Sequence, residues 1–385
     1  MSGLGRSCYR NAIVQECVST PAGGQGCMSG GLVFPPVGIA HVTDDLVNLC
    51  LRPSFGSASI RVNTSAQPNS APHVGSVLTI LCSFALAKRI RTRGMHSSLQ
   101  FDCLENAPAT RRSGGESEDY VRSLADTPAP NTPGETLADL YFRPFRRVLN
   151  WGSERSGAPW VLRSYDDFQR TPAVRERILA MASRAAEFGP VVSPSHMRLP
   201  IRIKCPVCDL MDKHGTHTSI TSGETPLITS RCRDHGVFSE SLSLATPSYV
   251  DLNTALRDVL KCSAFIADMK EGVHTVMLDG GDWGGSWCWE VVMRALGLLG
   301  DRVELAPTRL FAPLIVDDTG AKLSKTIYVS DHAYGDLPAW AVDFSRQDDE
   351  AWGMRMERLW GIAEELVSSP RRFFRNYTLH SLMGL

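Results

Sequence analysis

The feature that most constrains the fold is an alternation of short apolar strands with helices, which occurs in two separate parts of the chain. The predicted elements are a strand at 57–65, a helix at about 74–91 and a strand at 97–104, then a helix at 250–270, a strand at 274–281, a helix at 286–299 and a strand at 310–317. Strands that alternate with helices assemble into a parallel sheet covered by helices. We therefore expect an α/β fold with a Rossmann-like, parallel-sheet nucleotide-binding domain that is split by an insertion.

The segments between these two parts carry other signals. Residues 104–135 are rich in Pro, Gly and charged side chains, which predicts a loop. Helical patterns follow at 136–151 and 168–188, and in the second we expect Thr171 to be the cap and Pro172 to lie in the first turn.

These patterns divide the chain into five parts. Residues 1–54 are rich in Gly, Ser and Cys without sustained periodicity, so we expect an N-terminal extension. Residues 55–150 and 250–330 form the two halves of the main domain. Residues 151–249 form the insertion, with a cysteine-bearing knuckle, and 331–385 form a short helical tail.

Composition excludes several classes of protein. With 43% hydrophobic residues the chain can bury a full core, and 40 basic against 41 acidic side chains leave no overall field for DNA or a membrane surface. No apolar run is long enough to span a bilayer, and the start has no long apolar signal segment. We therefore expect a soluble, cytoplasmic protein with reduced cysteines, no DNA partner and no membrane partner.

The helix at 74–91 begins in an unusual way, after the stretch PNSAPHVGS. Asn69 and Ser70 can cap a helix and Pro72 cannot donate, so the helix starts within a residue or two of His73. A helix N-terminus attracts anions; Gly75 would let a phosphate or adenine approach the backbone, and His73 could donate to a phosphoryl oxygen. The alternative is a capped core helix with a half-buried histidine.

A second candidate lies in DDTGAKLSKT, where Lys322 and Lys325 flank Leu323 and Ser324 after a strand and a glycine turn. Two lysines on a flexible loop suit a polyphosphate whose charge rises as a leaving group departs. The alternative is a solvated loop of no special chemistry.

A third candidate, DGGDWGGSW, follows an apolar strand. Glycines such as Gly281 at the end of a strand let backbone meet ligand, and the carboxylate of Asp282 can bind ribose hydroxyls. A turn without any ligand is the alternative.

The cysteine pattern predicts a metal site. CPVC contributes Cys205 and Cys208, and CRDH contributes Cys232 and His235. Paired soft ligands at this spacing suit a closed, structural zinc site. The alternatives are a set of buried thiols, or a different fourth ligand, since His214 and His217 lie in the intervening loop.

Taken in order, PNSAPHVGS, GGDWGGS and AKLSKT resemble the two nucleotide-binding signatures of the class I aminoacyl-tRNA synthetases and the segment between them. Within that class the chain is most similar to the class I lysyl-tRNA synthetases, through FDCLE, ETLADLYFRPF and a cysteine knuckle in the insertion. The resemblance covers about residues 57–330. It implies a HUP-type catalytic domain, ATP, Mg²⁺ and a structural Zn²⁺ as cofactors, an amino acid as substrate and the acceptor end of a tRNA as a partner.

The resemblance also implies roles for individual residues. Asp102 and Glu105 are the candidates for binding the amino-acid ammonium, with ordinary solvated carboxylates as the alternative. His73, Lys322 and Lys325 are the candidate catalytic residues. The expected ATP-binding residues are His73, Gly75, Ser76, Gly281, Asp282, Lys322, Ser324 and Lys325.

The chain departs from the family at several places. Ser76 replaces the second His or Asn of the first signature, Trp283 stands where the family has His, and Thr326 replaces the last Ser of the second signature. Because the chain ends at Leu385, we expect the family's large helical anticodon-binding domain to be absent. In the tail, arginines at 371, 372 and 375 interleave with aromatic residues, which suits contact with RNA or docking on the domain.

The function expected from these features is ATP-dependent activation of an amino acid, with lysine as the candidate, as an aminoacyl-adenylate that is transferred to a tRNA 3′ end. One alternative is a ligase that transfers the acyl group to a small molecule or carrier protein. A second is a non-catalytic nucleotide- or RNA-binding paralogue. The coincidence of His73 with both loop lysines favours the enzyme.

Overall fold

In the computed structural model, the chain is described over residues 59–113, 119–244, 248–284, 287–323, 337–345 and 348–385. The strands are β1 (Ser59–Ala66), β2 (His96–Cys103), β3 (Pro108–Ser113), β4 (Asp119–Ser123), β5 (Trp160–Ser164), β6 (Ile201–Arg202), β7 (Met211–Asp212), β8 (Ser219–Thr221), β9 (Leu227–Cys232), β10 (Gly236–Ser241), β11 (Asp251–Leu252), β12 (Val273–Gly280), β13 (Thr308–Ala312), β14 (Ile315–Val316) and β15 (Tyr377–Thr378). The helices are α1 (Val74–Thr92), α2 (Leu137–Ser156), α3 (Tyr165–Arg170), α4 (Pro172–Ser183), α5 (Ala185–Val192), α6 (Thr254–Asp268), α7 (Arg294–Leu299), α8 (Ala339–Val342), α9 (Asp349–Ser368), α10 (Pro370–Phe373) and α11 (Leu379–Met383), with a π-helical turn at Trp287–Met293 before α7.

The central sheet has five strands in the order β13-β12-β1-β2-β5, and every neighbouring pair is parallel. If these five strands alone are numbered 1 to 5 in chain order, the sheet reads 3-2-1-4-5 from the edge formed by β5. This is the doubly wound arrangement of a Rossmann sheet. The strand order reverses between β1 and β12. The predicted α/β fold with a parallel nucleotide-binding sheet is confirmed.

Helices cover both faces of this sheet. Along β12, Val276 and Leu278 belong to one apolar cluster and Met277 to the other, as the two-residue period of a strand requires. The first cluster contains α1, α2 and α9, and the second contains α4, α6 and α7. Because both faces are covered, the strands are apolar on both sides, which explains the continuous apolar runs in the sequence.

Helix α1 is buried on most of its circumference because the sheet, α2 and α9 all pack against it. Its predicted span of about 74–91 is confirmed. On its outer side Lys88 forms an ion pair with Glu364 of α9 at 2.6 Å and lies over the ring of Trp360. Among the helices that the structure describes, none is long and apolar enough to cross a membrane.

The contact of α2 with α1 depends on a glycine. A methyl group on Gly152 would lie 2.4 Å from a ring carbon of Phe84, whose side chain is fully buried in α1. We expect Gly152→Ala to lower the free energy of unfolding by about 1–3 kcal/mol, because overpacking forces the helices apart. Denaturant unfolding would measure this. The control is Gly361→Ala in α9, where the methyl group meets nothing within 4 Å and should stabilise by about 0.5–1 kcal/mol; equal effects of the two substitutions would contradict the prediction.

Two sequence-based expectations are wrong. The segment 104–135 is not only loop, since β3 and β4 form a hairpin whose second strand pairs with β7 in the insertion. The expected helix at 168–188 is three helices, α3, α4 and α5. Thr171 is the N-cap residue of α4 and Pro172 lies in its first turn, as predicted, but the Thr171 side chain makes no capping hydrogen bond. The extended backbone of Thr171, at ψ 130°, is the conformation that a following proline favours, and this ends α3.

Strand β5 pairs with β2 at the edge of the central sheet. The sheet therefore includes Trp160–Ser164, which the expected boundary at residue 151 assigned to the insertion. The residues 1–58 lie outside the described part of the chain, so the N-terminal extension stays a prediction.

The C-terminal tail docks on the central domain. β15 pairs with β14, and Phe373 and Tyr377 are buried in the apolar cluster around α1. Arg372 forms an ion pair with Glu365. These contacts support the docking interpretation of the tail, and its contact with RNA stays a prediction.

Candidate functional site

A cleft of about 290 Å³ lies where the strand order reverses, at the carboxyl ends of β1 and β12. Its walls are the N-terminus of α1, one face of α6 and the segment after β13. Open α/β sheets bind ligands at this place because the loops diverge there and leave a crevice. Five of the predicted site residues line the cleft: His73, Gly75, Ser76, Asp282 and Lys322.

His73 is the N-cap of α1 through its own ring. Its Nδ1 atom accepts hydrogen bonds from the backbone N–H groups of Gly75 at 3.1 Å and Ser76 at 3.4 Å. An Nδ1 that accepts carries no proton, so the neutral ring carries its proton on Nε2, which lies 3.1 Å from the hydroxyl of Ser76. The donor that His73 itself presents at this helix start is therefore Nε2–H.

This cap explains the glycine on the first turn. A methyl group on Gly75 would lie 3.0 Å from Cε1 of the His73 ring, closer than ordinary packing allows. Gly75 thus makes room for the ring, a role that the sequence did not suggest. The backbone amides of Gly75 and Ser76 are bonded to the ring, so at this helix start they are not available to an anion.

Asp282 and Lys322 meet at the mouth of the cleft, where their charged atoms lie 2.6 Å apart. Both side chains are more than one third exposed, so the pair is weak and a ligand can compete for either partner. Gly281 lies beside Asp282 in a short 3-10 turn but is not among the lining residues. Ser324 and Lys325 lie outside the described residues.

The floor of the cleft is a network of buried charges that sequence reasoning missed. Arg309 of β13 forms ion pairs with Asp258 of α6 at 2.6 Å and Asp279 of β12 at 3.1 Å. Burial opposes the charge on Arg309, but the two carboxylates outweigh it and raise its pKa. The available signal was the presence of charged residues such as Arg309 and Lys261 inside otherwise apolar elements.

Asp102, at the end of β2, lies just behind this floor. Its carboxylate is bonded to Arg163 at 2.8 and 2.9 Å and to the ammonium of Lys261 at 2.9 Å. Burial raises its pKa, but the two cations outweigh burial and lower it. The ammonium partner of Asp102 is therefore supplied by the chain itself, and Asp102 is not among the lining residues, which argues against the predicted substrate ammonium here.

Glu105 has a capping role in the structure. Its two carboxylate oxygens accept hydrogen bonds from the backbone N–H groups of Tyr165 at 2.8 Å and Asp166 at 2.9 Å, at the start of α3. Burial raises the pKa of Glu105, and these two hydrogen bonds oppose that rise. Since its oxygens already bind backbone amides away from the cleft, this geometry also argues against an ammonium-binding role.

The four predicted metal ligands lie together. The Sγ atoms of Cys205 and Cys232 are each 3.5 Å from Nδ1 of His235, and the Sγ atoms of Cys208 and Cys232 are 3.6 Å apart. Tetrahedral zinc with ordinary bond lengths requires about 3.6 Å between S and N and about 3.8 Å between two S atoms. The donor set and its spacing therefore fit zinc.

The local chain geometry brings these ligands together. Cys232 ends β9 and His235 lies in the tight turn to β10, where Gly236 adopts a φ of +78°. On the other side, the carbonyl of Cys208 accepts two hydrogen bonds from the guanidinium of Arg122. His214, one of the alternative ligands, instead lies 3.1 Å from a carboxylate oxygen of Asp119.

No protein-family model matches the chain, and no curated protein matches it. The chain is similar to the solved structure of Thermus thermophilus arginyl-tRNA synthetase, with 11% identity over 89% of this chain and 64% of that one, and a TM-score of 0.34. It is also similar to Mycobacterium tuberculosis methionyl-tRNA synthetase in complex with methionyl-adenylate, with 10% identity over 85% of this chain and 68% of that one, and a TM-score of 0.38. Leishmania major tyrosyl-tRNA synthetase with tyrosinol has 11% identity and a TM-score of 0.35, and the chain covers 33% of its length. Identities this low say nothing about the substrate of this chain.

Proposed function

We propose that the chain activates an amino acid with ATP and forms an aminoacyl-adenylate. The observation that carries the proposal is the meeting of His73, Asp282 and Lys322 in one cleft at the reversal point of a Rossmann sheet. Three sequence segments that are far apart in the chain supply these side chains, each of a type that suits one part of ATP.

Each residue has a distinct task in this proposal. Nε2–H of His73 donates to a phosphate oxygen beside the start of α1, and Asp282 binds the ribose hydroxyls. Lys322, with Lys325, neutralises the charge that grows on the leaving pyrophosphate. Mg²⁺ reduces the charge repulsion of the triphosphate; since Asp258, Asp279 and Asp282 all have cationic partners here, it would be held chiefly by the phosphates.

The proposed reaction is an in-line displacement at phosphorus. An oxygen of the amino-acid carboxylate attacks the α-phosphorus, the bond from that phosphorus to the bridging oxygen breaks, and pyrophosphate leaves with the electron pair. The protein contributes alignment and fixed charges, so no side chain needs to form a covalent bond.

The test of this proposal is ATP–pyrophosphate exchange, measured separately with each of the standard amino acids. Lys322→Ala should slow exchange by about 30- to 1,000-fold, or about 2–4 kcal/mol, because its charge acts mainly in the transition state. ATP affinity should change less. Lys270→Ala, an exposed lysine beyond the far end of α6, is the control and should leave exchange unchanged.

Two results would contradict the proposal. Unchanged exchange in Lys322→Ala would make the loop an ordinary one. ATP binding without any exchange, for every amino acid, would favour the non-catalytic paralogue.

For the acceptor, we propose the 3′ end of a tRNA, as in the family that the motifs resemble. Acid-precipitable transfer of a labelled amino acid to total tRNA would support this. Adenylate formation without any charged tRNA would favour a small molecule or a carrier protein instead.

A further inference from the structure

One cation in the cleft differs from the others. Arg257 lies on the second turn of α6, is 6% exposed and lines the cleft. Thr254, Asp258 and Lys261 line the cleft from the same helix, at the spacing of one helical face. This face of α6 therefore forms a wall of the site.

The other charged side chains of the cleft are paired. Arg309 lies between Asp258 and Asp279, Lys322 contacts Asp282, and Lys261 contacts Asp102. In the part of the chain that the structure describes, Arg257 has neither a side-chain hydrogen bond nor an ion pair.

The carboxylates nearest to Arg257 are committed elsewhere. Asp251 is bonded to Arg202 and to the side-chain amide of Asn106, and Asp258 is bonded to Arg309. Burial lowers the pKa of Arg257, and the nearby negative groups only partly oppose this. An arginine keeps its charge in proteins, so the guanidinium remains a buried cation without a paired anion among the described residues.

We propose that Arg257 binds the side-chain carboxylate of the substrate, so that the activated amino acid is an acidic one, of the aspartate or glutamate type. This inference rests on the proposed function. A guanidinium offers two parallel N–H donors that match a carboxylate, and a buried site of this kind rejects an uncharged analogue.

The reacting α-carboxylate is a less suitable partner for Arg257. It must reach the phosphates, which we place beside His73 at the start of α1, whereas α6 packs on the opposite face of the sheet against Met277. It also loses its charge when the adenylate forms. A side-chain carboxylate keeps its charge through the whole reaction and is anchored throughout.

A lysine substrate fits this cleft poorly. Its side-chain ammonium needs a carboxylate, but Asp258 and Asp279 are held by the buried Arg309. The third carboxylate of the lining, Asp282, lies at the exposed mouth and is assigned to the ribose hydroxyls. It would also lie in a cleft that contains the buried charge of Arg257. The proposed acidic substrate therefore differs from the lysine that the sequence resemblance implies.

The test measures equilibrium binding without ATP, by calorimetry, for glutamate, aspartate, glutamine, asparagine and lysine. We expect one of the acids to bind about 10- to 100-fold more tightly than its own amide, since charge-assisted bonds are lost in the amide. Arg257→Gln should remove this preference, and Arg257→Lys should restore part of it. Arg302→Gln, which removes an exposed arginine bonded to Glu304, is the control and should change nothing.

Stability separates ligand binding from a structural role. Because the guanidinium has no hydrogen-bond or ion-pair partner among the described residues, Arg257→Gln should leave the unliganded protein as stable as the wild type or more so, by thermal unfolding. Equal binding of acid and amide, tighter binding of lysine, or unchanged binding in Arg257→Gln would each overturn the inference. Acid-selective binding that depends on Arg257, without pyrophosphate exchange, would support this site and contradict the proposed activation reaction. Pyrophosphate exchange with a neutral or basic amino acid would support the activation reaction and contradict the acidic substrate.

Discussion

Loss of zinc is expected to unfold the segment around Cys205, Cys208, Cys232 and His235 while the central sheet stays folded. The apolar cluster at this place is small: Tyr120 and Leu210 are its only fully buried members besides two of the cysteines, among the residues that the structure describes. Such a core cannot hold a hairpin alone. Structural zinc contributes about 10–16 kcal/mol of apparent binding energy in small zinc-binding peptides, so the metal dominates this local balance.

The measurement combines metal analysis with hydrogen exchange. The purified protein should contain about one zinc per chain, and His235→Ala or Cys205→Ser should lose it. Chelation should remove exchange protection from β9 and β10 and leave β1 and β12 protected. The control is His214→Gln, a histidine between the two ligand pairs in the sequence that lies beside Asp119 and should leave the zinc content unchanged. A metal-free protein with a fully protected hairpin would refute the prediction.

The sequence predicted those parts of the molecule that local signals encode. The bounds of α1 follow from Pro72 and the apolar run after it, and the zinc ligands follow from the spacing of CPVC and CRDH, because short spacing fixes geometry. Local signals also misled where tertiary pairing decides. Strand β4, in a segment rich in Pro and Gly, pairs with β3 in a local hairpin and also with β7, about ninety residues further along the chain, and these pairings give an extended structure that the composition does not suggest.

The site could be predicted only in part, for a related reason. His73, Asp282 and Lys322 stand in recognisable motifs, and the structure brings all three to the cleft. Arg309 and Arg257 stand in no motif. Whether each forms an ion pair depends on which strands and helices become neighbours. A charged residue inside an apolar element indicates a buried charge, but only the fold shows whether an opposite charge lies close enough to form an ion pair with it.

Asp102→Asn is expected to lower the free energy of unfolding by about 3–5 kcal/mol, because it removes one partner of a buried ion cluster and leaves the others uncompensated. The substitution keeps the shape of the side chain, removes its charge and replaces one acceptor oxygen with an NH₂ donor. Lys261, whose side chain is 5% exposed, would keep its charge beside a neutral amide, and Arg163 would face one amide oxygen and one NH₂ group instead of two carboxylate oxygens. Urea unfolding at pH 7 measures the loss.

The pH dependence gives this prediction its sharpest test. Lys261 and Arg163, acting against burial, lower the pKa of Asp102 in the folded protein below its usual value of 3.8. A carboxylate with a lowered pKa adds stability above pH 3.8, and this contribution disappears as the pH falls toward the folded pKa. The difference in stability between wild type and Asp102→Asn should therefore be full at pH 7 and shrink below about pH 4.

A matched control removes a carboxylate of the same type from an exposed pair. Asp166 contacts Arg170 at 2.9 Å, with both side chains more than 40% exposed, so Asp166→Asn should cost at most about 1 kcal/mol. A cost of that size for Asp102→Asn, or a difference that stays constant down to low pH, would show that the cluster does not hold β2, β5 and α6 together. A full cost at pH 7 that shrinks below about pH 4 would show that the cluster does hold these three elements together.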